Sequence, residues 1–554
     1  MLTDGFFARL TAFFKKRTKR MTTLKTVLPL GYTDFTLLRQ NNAVYVDKTD
    51  LLYELASEVS HVFLARPRRF GKSLLTSTLN SLFSRGLRDF RDLAIEKRWE
   101  DRTYNVVRLD FFKCKFFHDI DEFLLRLHAT LRNAFAKAGF KFSSDSPDDM
   151  ETQLSTWMSS LERGSLVVLI DEYDAPLTAC PDNIALFEAV RQRMSYFFGM
   201  LKSDAGCLRF LFLTGITKFS STSIFSEFNN LIDISHDRKY GTLLGYTEDE
   251  IHRYFSTYLD HAAKTLKKPL SNVLDNLKTY YNGFCFEETA SQRVYCPWSV
   301  LNFLHRPERG FINYWFASGG HPTVLLKYLK GHELEDPASF AEPKVIRLFD
   351  LDASRQYEKI EQEVLLAQAG YLTIKEIRPN NDVILGYPNQ EVAMSMAQLY
   401  ADKLLDGKSP AKKGKESLED ILKFADTEKV VARFNEVFNA VNYGNYPIRD
   451  EALCCSHLQQ LMMGEEMVPQ VEVYTAYGRS DLEVEAGDRH WVFELKYAKE
   501  SSQVEKLLEQ AVEQIRNRRY GETPHGKELR RVALVFNAED RRFTAWQDVE
   551  VAAK

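Results

Sequence analysis

The chain has 554 residues, of which 44% are apolar and 27% are charged, and its formal net charge is −4 at neutral pH. This length exceeds the roughly 300 residues at which single cores stop growing, so several domains are expected. The composition excludes a disordered or fibrous chain. Because there is no basic excess, any contact with nucleic acid must use a local patch.

The cysteines exclude two common kinds of small domain. None of them forms a CxxC pair, so neither a zinc ribbon nor a disulfide framework is expected, and a reducing cytoplasm fits best. No stretch approaches the roughly 20 apolar residues that a membrane span requires. The seven cysteines are Cys114, Cys180, Cys207, Cys285, Cys296, Cys454 and Cys455.

The first 23 residues form a basic extension. Apolar residues recur at helical spacing and are followed by a basic run from Lys15 to Arg20, the reverse of the order in a secretory signal. One interpretation is an amphipathic helix that touches a membrane surface. We favour the other, a frayed or upstream extension with translation starting at Met21.

Residues 24–240 are predicted to form a parallel α/β domain. Continuous apolar runs separated by helical stretches are typical of a parallel sheet covered on both faces. Residues 241–400 have a mainly helical pattern and are expected to form a lid or winged-helix-like region. The polar segment 401–425 is predicted to be a linker to a C-terminal domain, 426–554. The apolar runs of the first domain lie at 61–65, 105–110, 166–170 and 208–213.

A candidate phosphate-binding loop follows the first of these strands. Gly71, Lys72 and Ser73 supply a tight turn, a lysine for the β- and γ-phosphates and a hydroxyl for magnesium. Arg66 stands where the GxxxxGK[ST] pattern has its first glycine. A GKS string also opens surface helices by chance, but the buried strand before it favours a nucleotide site. The predicted nucleotide-binding residues here are Arg66, Pro67, Arg68, Arg69, Phe70, Gly71, Lys72, Ser73 and Leu74.

An acidic strand end supplies the second half of this site. Leu166–Ile170 is followed by Asp171 and Glu172, at the edge where α/β proteins bind ligands. Asp171 is expected to hold magnesium through water and Glu172 to polarise the attacking water. An exposed acidic turn is the alternative, but the buried aliphatic run before the acids favours the functional interpretation.

One threonine and two arginines are further candidates for this site. Thr214 ends another strand and is a candidate γ-phosphate sensor, although a hydrogen-bonded strand cap explains it equally well. Arg191 and Arg193 are candidates for an arginine finger, but a solvated helix face is the better explanation of both.

These residues resemble a known family. The strings RPRRFGKSL, YVDKTDLL, VVLIDEYDAP and FLTGITKFS, in this order, are similar to the AAA-ATPase-like proteins found mainly in bacteria. The resemblance runs from about Leu28 to Ile234, and in that family the loop typically begins with arginine. It also implies a C-terminal PD-(D/E)XK nuclease-like domain, which such ATPases often carry.

The C-terminal pattern gives the same domain independently. A helix from Arg449 to Met463, strands at 471–477, 481–486 and 490–497, a helix at 503–517 and a strand at 531–536 give the order αβββαβ of restriction-endonuclease-like cores. Gly487-Asp488 is predicted to be the hairpin turn between the second and third strands.

Three charged residues converge on this hairpin. Glu494 and Lys496 lie two apart on one strand and so share a face, which Asp481 reaches across the hairpin. Two carboxylates bind magnesium and a lysine positions or deprotonates water, the chemistry of phosphodiester hydrolysis. An exposed cross-strand salt bridge is the alternative. The resemblance adds Glu451 on the first helix and Gln514 on the second, and Arg516, Arg518 and Arg519 form a small basic patch.

The sequence therefore predicts a cytoplasmic enzyme that binds ATP and Mg²⁺ and whose nucleotide state controls a nuclease acting on DNA or RNA. The alternative is a nucleotide-dependent switch whose nuclease-like domain binds without cleaving. A homo-oligomer is possible, because many such ATPases complete their site with a neighbour's arginine. The predicted catalytic residues are Glu172, Glu451, Asp481, Glu494, Lys496 and Gln514, and the predicted metal ligands are Ser73, Asp171, Asp481 and Glu494.

Overall fold

The computed structural model describes most of the chain. The predicted basic extension, the centre of the predicted linker and the last two residues of the FLTGITKFS string lie outside the described residues. The described ranges are 27–142, 150–180, 183–218, 231–317, 344–352, 361–404, 416–441, 443, 446–475, 478–521 and 526–550.

A parallel sheet organises the N-terminal part. Its strands are β1 (His61–Ala65), β2 (Asn105–Asp110), β3 (Leu166–Asp171), β4 (Leu208–Gly215) and β5 (Ile232–Asp233). They pair in the order β2-β3-β4-β1-β5, and every pairing is parallel. All residues of β3 are buried, as expected for a strand covered on both faces. The predicted parallel α/β fold is confirmed, and β4 separates the loop-bearing β1 from the acidic β3.

The helices of this part cover the sheet. Local capping fixes where several begin: Asp119 accepts a hydrogen bond from Glu122 N at 2.9 Å, and Asn183 accepts one from Leu186 N at 3.1 Å. The helices are α1 (Phe35–Gln40), α2 (Thr49–Glu58), α3 (Lys72–Arg85), α4 (Ile120–Lys137), α5 (Met150–Ser159), α6 (Ala175–Ala179) and α7 (Ile184–Ser203). Short 3-10 helices lie at Gly86–Asp89, Ala94–Lys97, Phe111–Cys114, Ala205–Cys207 and Arg238–Tyr240.

The middle region combines helices with a small sheet. Its helices are α8 (Glu248–Leu266), α9 (Leu270–Tyr281), α10 (Pro297–His305), α11 (Tyr314–Ala317), α12 (Leu348–Asp352), α13 (Gln362–Ala369) and α14 (Gln390–Leu404), with a 3-10 turn at Pro307–Arg309. The strands β6 (Lys344–Arg347), β7 (Thr373–Ile377) and β8 (Asp382–Gly386) pair antiparallel in the order β6-β8-β7. The sequence predicted a mainly helical region without this sheet.

The C-terminal part is built on a mixed sheet. Its strands are β9 (Gln470–Thr475), β10 (Gly478–Ala486), β11 (Arg489–Ala498), β12 (Glu528–Asn537) and β13 (Arg542–Asp548), in the order β13-β12-β11-β10-β9. Only the β11–β12 pairing is parallel. The helices are α15 (Leu418–Phe424), α16 (Thr427–Phe438), α17 (Glu451–Gly464) and α18 (Val504–Arg518), with a 3-10 turn at Ser501–Gln503. The predicted αβββαβ order is present, and β13, α15 and α16 add to it.

Both ends of the predicted linker are helical. α14 continues to Leu404, and α15 begins at Leu418. The Trp491 indole donates to Leu422 O at 2.9 Å, so α15 packs on the C-terminal sheet. Residues 418–424, within the predicted linker, therefore contact the C-terminal sheet. Among the described helices, none combines the length and the apolar character that crossing a bilayer requires.

Candidate active sites

The loop between β1 and α3 has the backbone of an anion site. Gly71 has φ 95° and Arg69 has φ 74°, both in the left-handed region, where glycine is favoured and arginine is rare. Gly71 is the N-cap of α3 and has no side chain to cap the first turn. Helix N-termini with such N–H groups bind phosphates.

Lys72 is held over this loop. Its ammonium donates to Arg66 O and to Pro67 O, each at 2.9 Å. Burial lowers the pKa of Lys72 to about 8, while the charges of Asp171 and Glu172 oppose that shift. The loop therefore holds a lysine between its own carbonyls and the acidic end of β3.

Asp171 and Ser73 form the arrangement expected of a magnesium site. Asp171 is buried at the end of β3 and forms a hydrogen bond with the Ser73 side chain, and its Oδ1 is buried with no hydrogen-bond partner. Burial raises the pKa of Asp171, and the Ser73 hydrogen bond and the charge of Lys72 oppose the rise. An orphaned carboxylate oxygen beside a hydroxyl suits a hard cation such as Mg²⁺, so these residues fit the metal.

Glu172 has a strained backbone. Its φ is 51°, a left-handed conformation that costs a non-glycine residue of order 1–3 kcal/mol. Burial raises the pKa of its carboxyl group; the charge of Lys72 lowers it, and Asp174 and Asp171 raise it further. Strained residues of this kind cluster at active sites, so the geometry agrees with a functional role beside Asp171.

Other predicted residues of this site have structural contacts. The Thr214 hydroxyl donates to Leu64 O at 2.8 Å, which is the contact of a strand cap. Arg191 pairs with Glu188 at 2.6 Å on the surface of α7, as the solvated-face explanation expects.

The Arg66 side chain is also used inside the protein. Its guanidinium donates to Ser235 O at 2.5 Å and to Tyr240 O at 3.2 Å, and it lies 4.6 Å from the centre of the Phe286 ring. Burial lowers its pKa to about 9. Arg66 therefore ties the loop to residues 235–240 and to the middle region, a role that the glycine of the usual pattern has no side chain to perform.

The loop is anchored in an aromatic cluster that the sequence did not predict. The Phe70 ring is buried 4.9 Å from Phe284, 4.9 Å from Phe286 and 6.5 Å from Trp315. The Arg69 guanidinium lies 4.3 Å from the Trp298 ring. These partners lie more than two hundred residues after the loop in the sequence, so no local pattern could identify them.

Asp174 is another residue that the sequence analysis missed. Its Oδ2 accepts hydrogen bonds from Ile216 N at 3.1 Å, Thr217 N at 3.0 Å and the Thr217 hydroxyl at 2.8 Å. A Cβ on Gly215 would lie 2.6 Å from Asp174 Oδ1 and from the Tyr173 ring, so glycine is required there. Asp174 thus holds the ends of β3 and β4 together. Its position three residues after Asp171 is the feature of the sequence that could have identified it.

In the C-terminal part, the three predicted residues come together. The β10–β11 pairing reaches Leu482 and Phe493, which places Asp481 just before it. Asp481 Oδ2 accepts a hydrogen bond from Leu495 N at 2.7 Å. Lys496 Nζ lies 2.7 Å from Glu494 Oε1 and also donates to Leu495 O at 2.8 Å.

Glu451, the first residue of α17, joins the same site. Its Oε1 lies 3.3 Å from Lys496 Nζ. Burial raises the pKa of Glu451; Lys496 lowers it and Asp481 raises it further. One lysine thus bridges a strand carboxylate and a helix carboxylate, an arrangement richer than the exposed cross-strand pair considered as the alternative.

Burial acts in opposite directions on the pKa values of Glu494 and Lys496. Glu494 is fully buried and its Oε2 has no hydrogen-bond partner. Burial raises its pKa to about 7, the charge of Asp481 adds to the rise, and Lys496 opposes it. Burial lowers the pKa of Lys496, but the charges of Glu494, Glu451 and Asp481 outweigh burial and raise it overall. Lys496 is therefore held protonated, which favours positioning over proton abstraction.

The carboxylates of Asp481 and Glu494 fit a cation that keeps much of its water. Among the described residues, no cluster of three or more His, Cys, Asp or Glu side chains forms a complete metal cage. Mg²⁺ is usually bound through one or two carboxylates and retains several waters. The buried, unpartnered Glu494 Oε2 beside the Asp481 charge meets that description.

Gln514 reaches this site through another residue. Its Nε2 donates to the hydroxyl of Tyr520 at 3.0 Å, and Tyr520 is fully buried. Burial raises the pKa of Tyr520, the Gln514 hydrogen bond opposes the rise, and the charges of Glu494 and Asp481 contribute to it. The charges of both carboxylates therefore act on Tyr520. The sequence did not predict Tyr520, because it lies just beyond the end of α18 and belongs to no motif.

Comparison with known proteins finds a family match in the N-terminal part and another in the C-terminal part. Residues 29–225 match a family model described as a predicted AAA-ATPase, and residues 456–546 match one described as the PD-(D/E)XK nuclease superfamily. An uncharacterized protein in the vnfD 5′ region of Azotobacter chroococcum mcd 1 is 28% identical over 537 residues, 93% of this chain and 97% of that protein. The chain thus contains an AAA-ATPase-like domain followed by a domain of the PD-(D/E)XK nuclease superfamily.

Proposed function

We propose that this protein is a nucleotide-controlled nuclease, in which ATP at the Arg66–Ser73 loop sets the activity of a Mg²⁺-dependent phosphodiesterase at Asp481, Glu494 and Lys496. The observation that carries the control is a continuous packed connection from the loop to Glu451. The cysteines are mostly buried and none of these described residues is in a disulfide, which agrees with a reducing cytoplasm.

At the first site, each residue has a role that follows from its position. Lys72 binds the β- and γ-phosphates, and Ser73 and Asp171 hold the Mg²⁺ that accompanies ATP. Glu172 orients the attacking water and accepts its proton, for which a raised pKa is suited. Arg66 keeps the loop attached to the middle region, so its effect on ATP is exerted through the backbone.

At the second site, Asp481 and Glu494 hold the metal. Bound Mg²⁺ would neutralise charge on the phosphodiester and lower the pKa of a water molecule. Lys496, protonated and fixed by Glu494 and Glu451, positions the scissile phosphate and its attacking water. Gln514, on α18, holds the hydroxyl of Tyr520, whose pKa responds to the charges of both carboxylates.

The connection between the sites begins at the loop. Phe70 packs against Trp315 and Phe284, and Trp315 stacks on Phe284 at 5.6 Å. A Cβ on Gly370 would lie 2.7 Å from the Pro67 ring, so the middle region also touches the loop from α13. Phosphate binding that moves this loop must therefore be accommodated by the middle region.

The second step of the connection is Glu391, near the start of α14. Its carboxylate accepts hydrogen bonds from Trp315 N at 2.9 Å, Tyr314 N at 2.8 Å and the Ser299 hydroxyl at 2.7 Å. Glu391 is fully buried, so these bonds bind α14 firmly to α11 and α10. A displacement of Trp315 is thereby transmitted to α14.

The third step is the packing of α14 against α17. Met394 and Ala397 pack with Met463, and Tyr400 lies 6.2 Å from the His457 ring. Gly464 lies against α14: a Cβ added at this glycine would lie 3.6 Å from the Cβ of Ala401. Because α17 begins at Glu451, a shift of α14 alters the contact between Glu451 and Lys496.

Cleavage assays test this function. Plasmid and single-stranded substrates, with Mg²⁺ or Mn²⁺, should be cut at a rate that changes when ATP is added. Lys496→Ala should abolish cutting, and Lys72→Ala should retain cutting while losing the response to ATP. Lys527→Ala is the matched control, because Lys527 pairs with Glu485 at 2.6 Å on the same sheet.

Two results would contradict the proposal. Metal-dependent cutting that survives Lys496→Ala would place the nuclease elsewhere. Nucleic-acid binding that responds to ATP without any cutting would favour the alternative, a nucleotide-dependent switch. A measurement of mass in solution with and without ATP would decide whether the ATPase assembles into an oligomer.

A further inference from the structure

Two exposed phenylalanines lie just beyond β2. The 3-10 helix Phe111–Cys114 buries Phe111 and Cys114 and leaves Phe112 43% exposed, and Phe116 is 60% exposed. The rings of Phe112 and Phe116 meet edge to face at 5.7 Å. A cluster of exposed apolar side chains marks a candidate interaction site.

The segment that carries these rings is firmly held. Asp110 Oδ1 accepts a hydrogen bond from Phe112 N at 3.1 Å, and the Cys114 thiol donates to the Thr130 hydroxyl at 3.5 Å. Phe117 packs at 5.2 Å against Phe123 of α4. The exposed rings therefore sit on a rigid base, which lowers the entropic cost of using them for binding.

Two lysines flank the rings. Lys115 Nζ lies 5.8 Å from the centre of the Phe112 ring, and Lys113 is exposed beside it. Three of the nearby acids make local contacts: Asp119 caps α4 through Glu122 N, Glu122 lies 3.1 Å from His118, and Asp110 caps the 3-10 helix. Asp121, in the first turn of α4, is exposed. Partly exposed aromatic rings beside lysines complement a polyanion that has bases to stack.

The surface lies at the ligand-binding edge of the N-terminal sheet. Asp110, which caps the segment, is the register partner of Asp171 in the adjacent strand. The segment that carries Phe112 and Phe116 thus leaves the sheet at the strand next to the one that ends at Asp171, the candidate Mg²⁺ ligand of the ATPase.

We propose that Phe112 and Phe116, flanked by Lys113 and Lys115, form a stacking site for single-stranded nucleic acid. The inference rests on the proposed function, since it assigns the substrate of that nuclease a holding site on the ATPase domain. Unpaired bases offer the faces that these rings stack on, whereas duplex DNA hides them. The lysines contact the backbone phosphates without sequence preference.

Binding of a fluorescent oligonucleotide to the full chain, in EDTA so that no strand is cut, tests this site. Phe112→Ala/Phe116→Ala should weaken single-strand binding about tenfold or more, because stacking on each ring contributes at that level. Phe112→Leu/Phe116→Leu should weaken it similarly, since leucine keeps apolar surface but has no aromatic face. Lys113→Ala/Lys115→Ala should flatten the dependence of affinity on salt.

Phe424→Ala is the matched control. Phe424 is 76% exposed, and its neighbour Lys423 is paired with Glu419 at 2.6 Å, so this variant should bind like the wild type. Crosslinking of a 5-iodouracil oligonucleotide should map to Phe112 or Phe116.

Unchanged oligonucleotide affinity in the alanine pair, or full affinity in the leucine pair, would overturn the inference. So would an alanine pair that loses only its binding of an unfolded polypeptide such as casein. The proposed function is judged separately, by metal-dependent cutting at saturating substrate. The alanine pair should still show such cutting, and Lys496→Ala should not.

Discussion

The backbone N–H of Trp315 donates to the carboxylate of Glu391 across 2.9 Å, in a fully buried position. Tyr314 N donates to the same oxygen at 2.8 Å, and the Ser299 hydroxyl reaches the other oxygen at 2.7 Å. Burial nevertheless dominates these bonds and raises the pKa of Glu391 to about 8. The contact that joins α11 to α14 is therefore sensitive to protonation.

Stability should fall as pH rises through the range in which Glu391 titrates. Between the ordinary value of 4.5 and the folded value of about 8, the folded state holds a proton that the unfolded state releases. The contribution of this proton to the free energy of unfolding is complete below about pH 4.5 and is lost as pH rises towards 8. Thermal melts of wild type and Glu391→Gln at several pH values should converge in acid and separate near pH 8, with the glutamine variant more stable.

Glu391→Ala provides the comparison for that experiment. It leaves two buried N–H groups and a hydroxyl without their acceptor, which should cost about 3 kcal/mol or more. Equal pH dependence of the melting temperature in wild type and Glu391→Gln would show that Glu391 does not titrate in this range.

Lys72→Ala should weaken ATP binding at least about tenfold, because the charge-assisted contacts of one buried ammonium are lost. Isothermal titration with ATP measures this directly. Lys239→Ala is the control, since Lys239 pairs with Glu58 at 2.6 Å on the surface of the same domain. Unchanged affinity in Lys72→Ala would exclude the loop as the phosphate site.

Glu172→Gln should bind ATP with the affinity of the wild type and hydrolyse it roughly a hundredfold more slowly. The amide keeps the size of the side chain but cannot accept a proton from water. Phosphate release measured beside ATP affinity separates the two effects. Glu188→Gln, on exposed α7, should match the wild type in both, and rapid hydrolysis by Glu172→Gln would remove its role as the base.

The sequence predicted the parts of both sites that depend on strand order and spacing. The apolar run before Asp171 and the two-residue spacing of Glu494 and Lys496 led directly to residues that the structure places together. It could not predict the surroundings of Arg66, whose distant hydrogen-bond partners are Ser235 and Tyr240, or the packing of Phe70. Such contacts depend on tertiary packing between segments far apart in the chain.

The small sheet β6-β8-β7 was missed for a local reason. Its strands are four or five residues long, and Lys375 and Glu376 break the apolar pattern of β7. The hairpin turn contains Asn381 at φ 64°, a conformation that asparagine tolerates, but an Asn-Asn pair alone is a weak turn signal.

Trp315→Phe should separate the two activities. The smaller ring reduces contact with Phe70 and Phe284, so ATP binding and metal-dependent cutting should both persist while the effect of ATP on cutting falls towards none. Cleavage rates with and without ATP give the ratio. Trp99→Phe is the control, because Trp99 is a buried tryptophan that packs on Phe83 of α3, away from the middle region. A ratio unchanged in Trp315→Phe would remove this cluster from the connection.

Tyr520→Phe and Gln514→Leu should act as one unit in the nuclease site. Each removes one side of the 3.0 Å hydrogen bond between Gln514 Nε2 and the Tyr520 hydroxyl, so each should slow metal-dependent cutting severalfold. The double variant should be no slower than the worse single variant, because residues in one network are not additive. Rates that multiply in the double variant would mean that the two side chains act independently. A shift of the pH profile in Tyr520→Phe is also expected, since the Tyr520 hydroxyl lies within the electrostatic reach of Glu494 and Asp481, and a purely structural role would leave that profile in place.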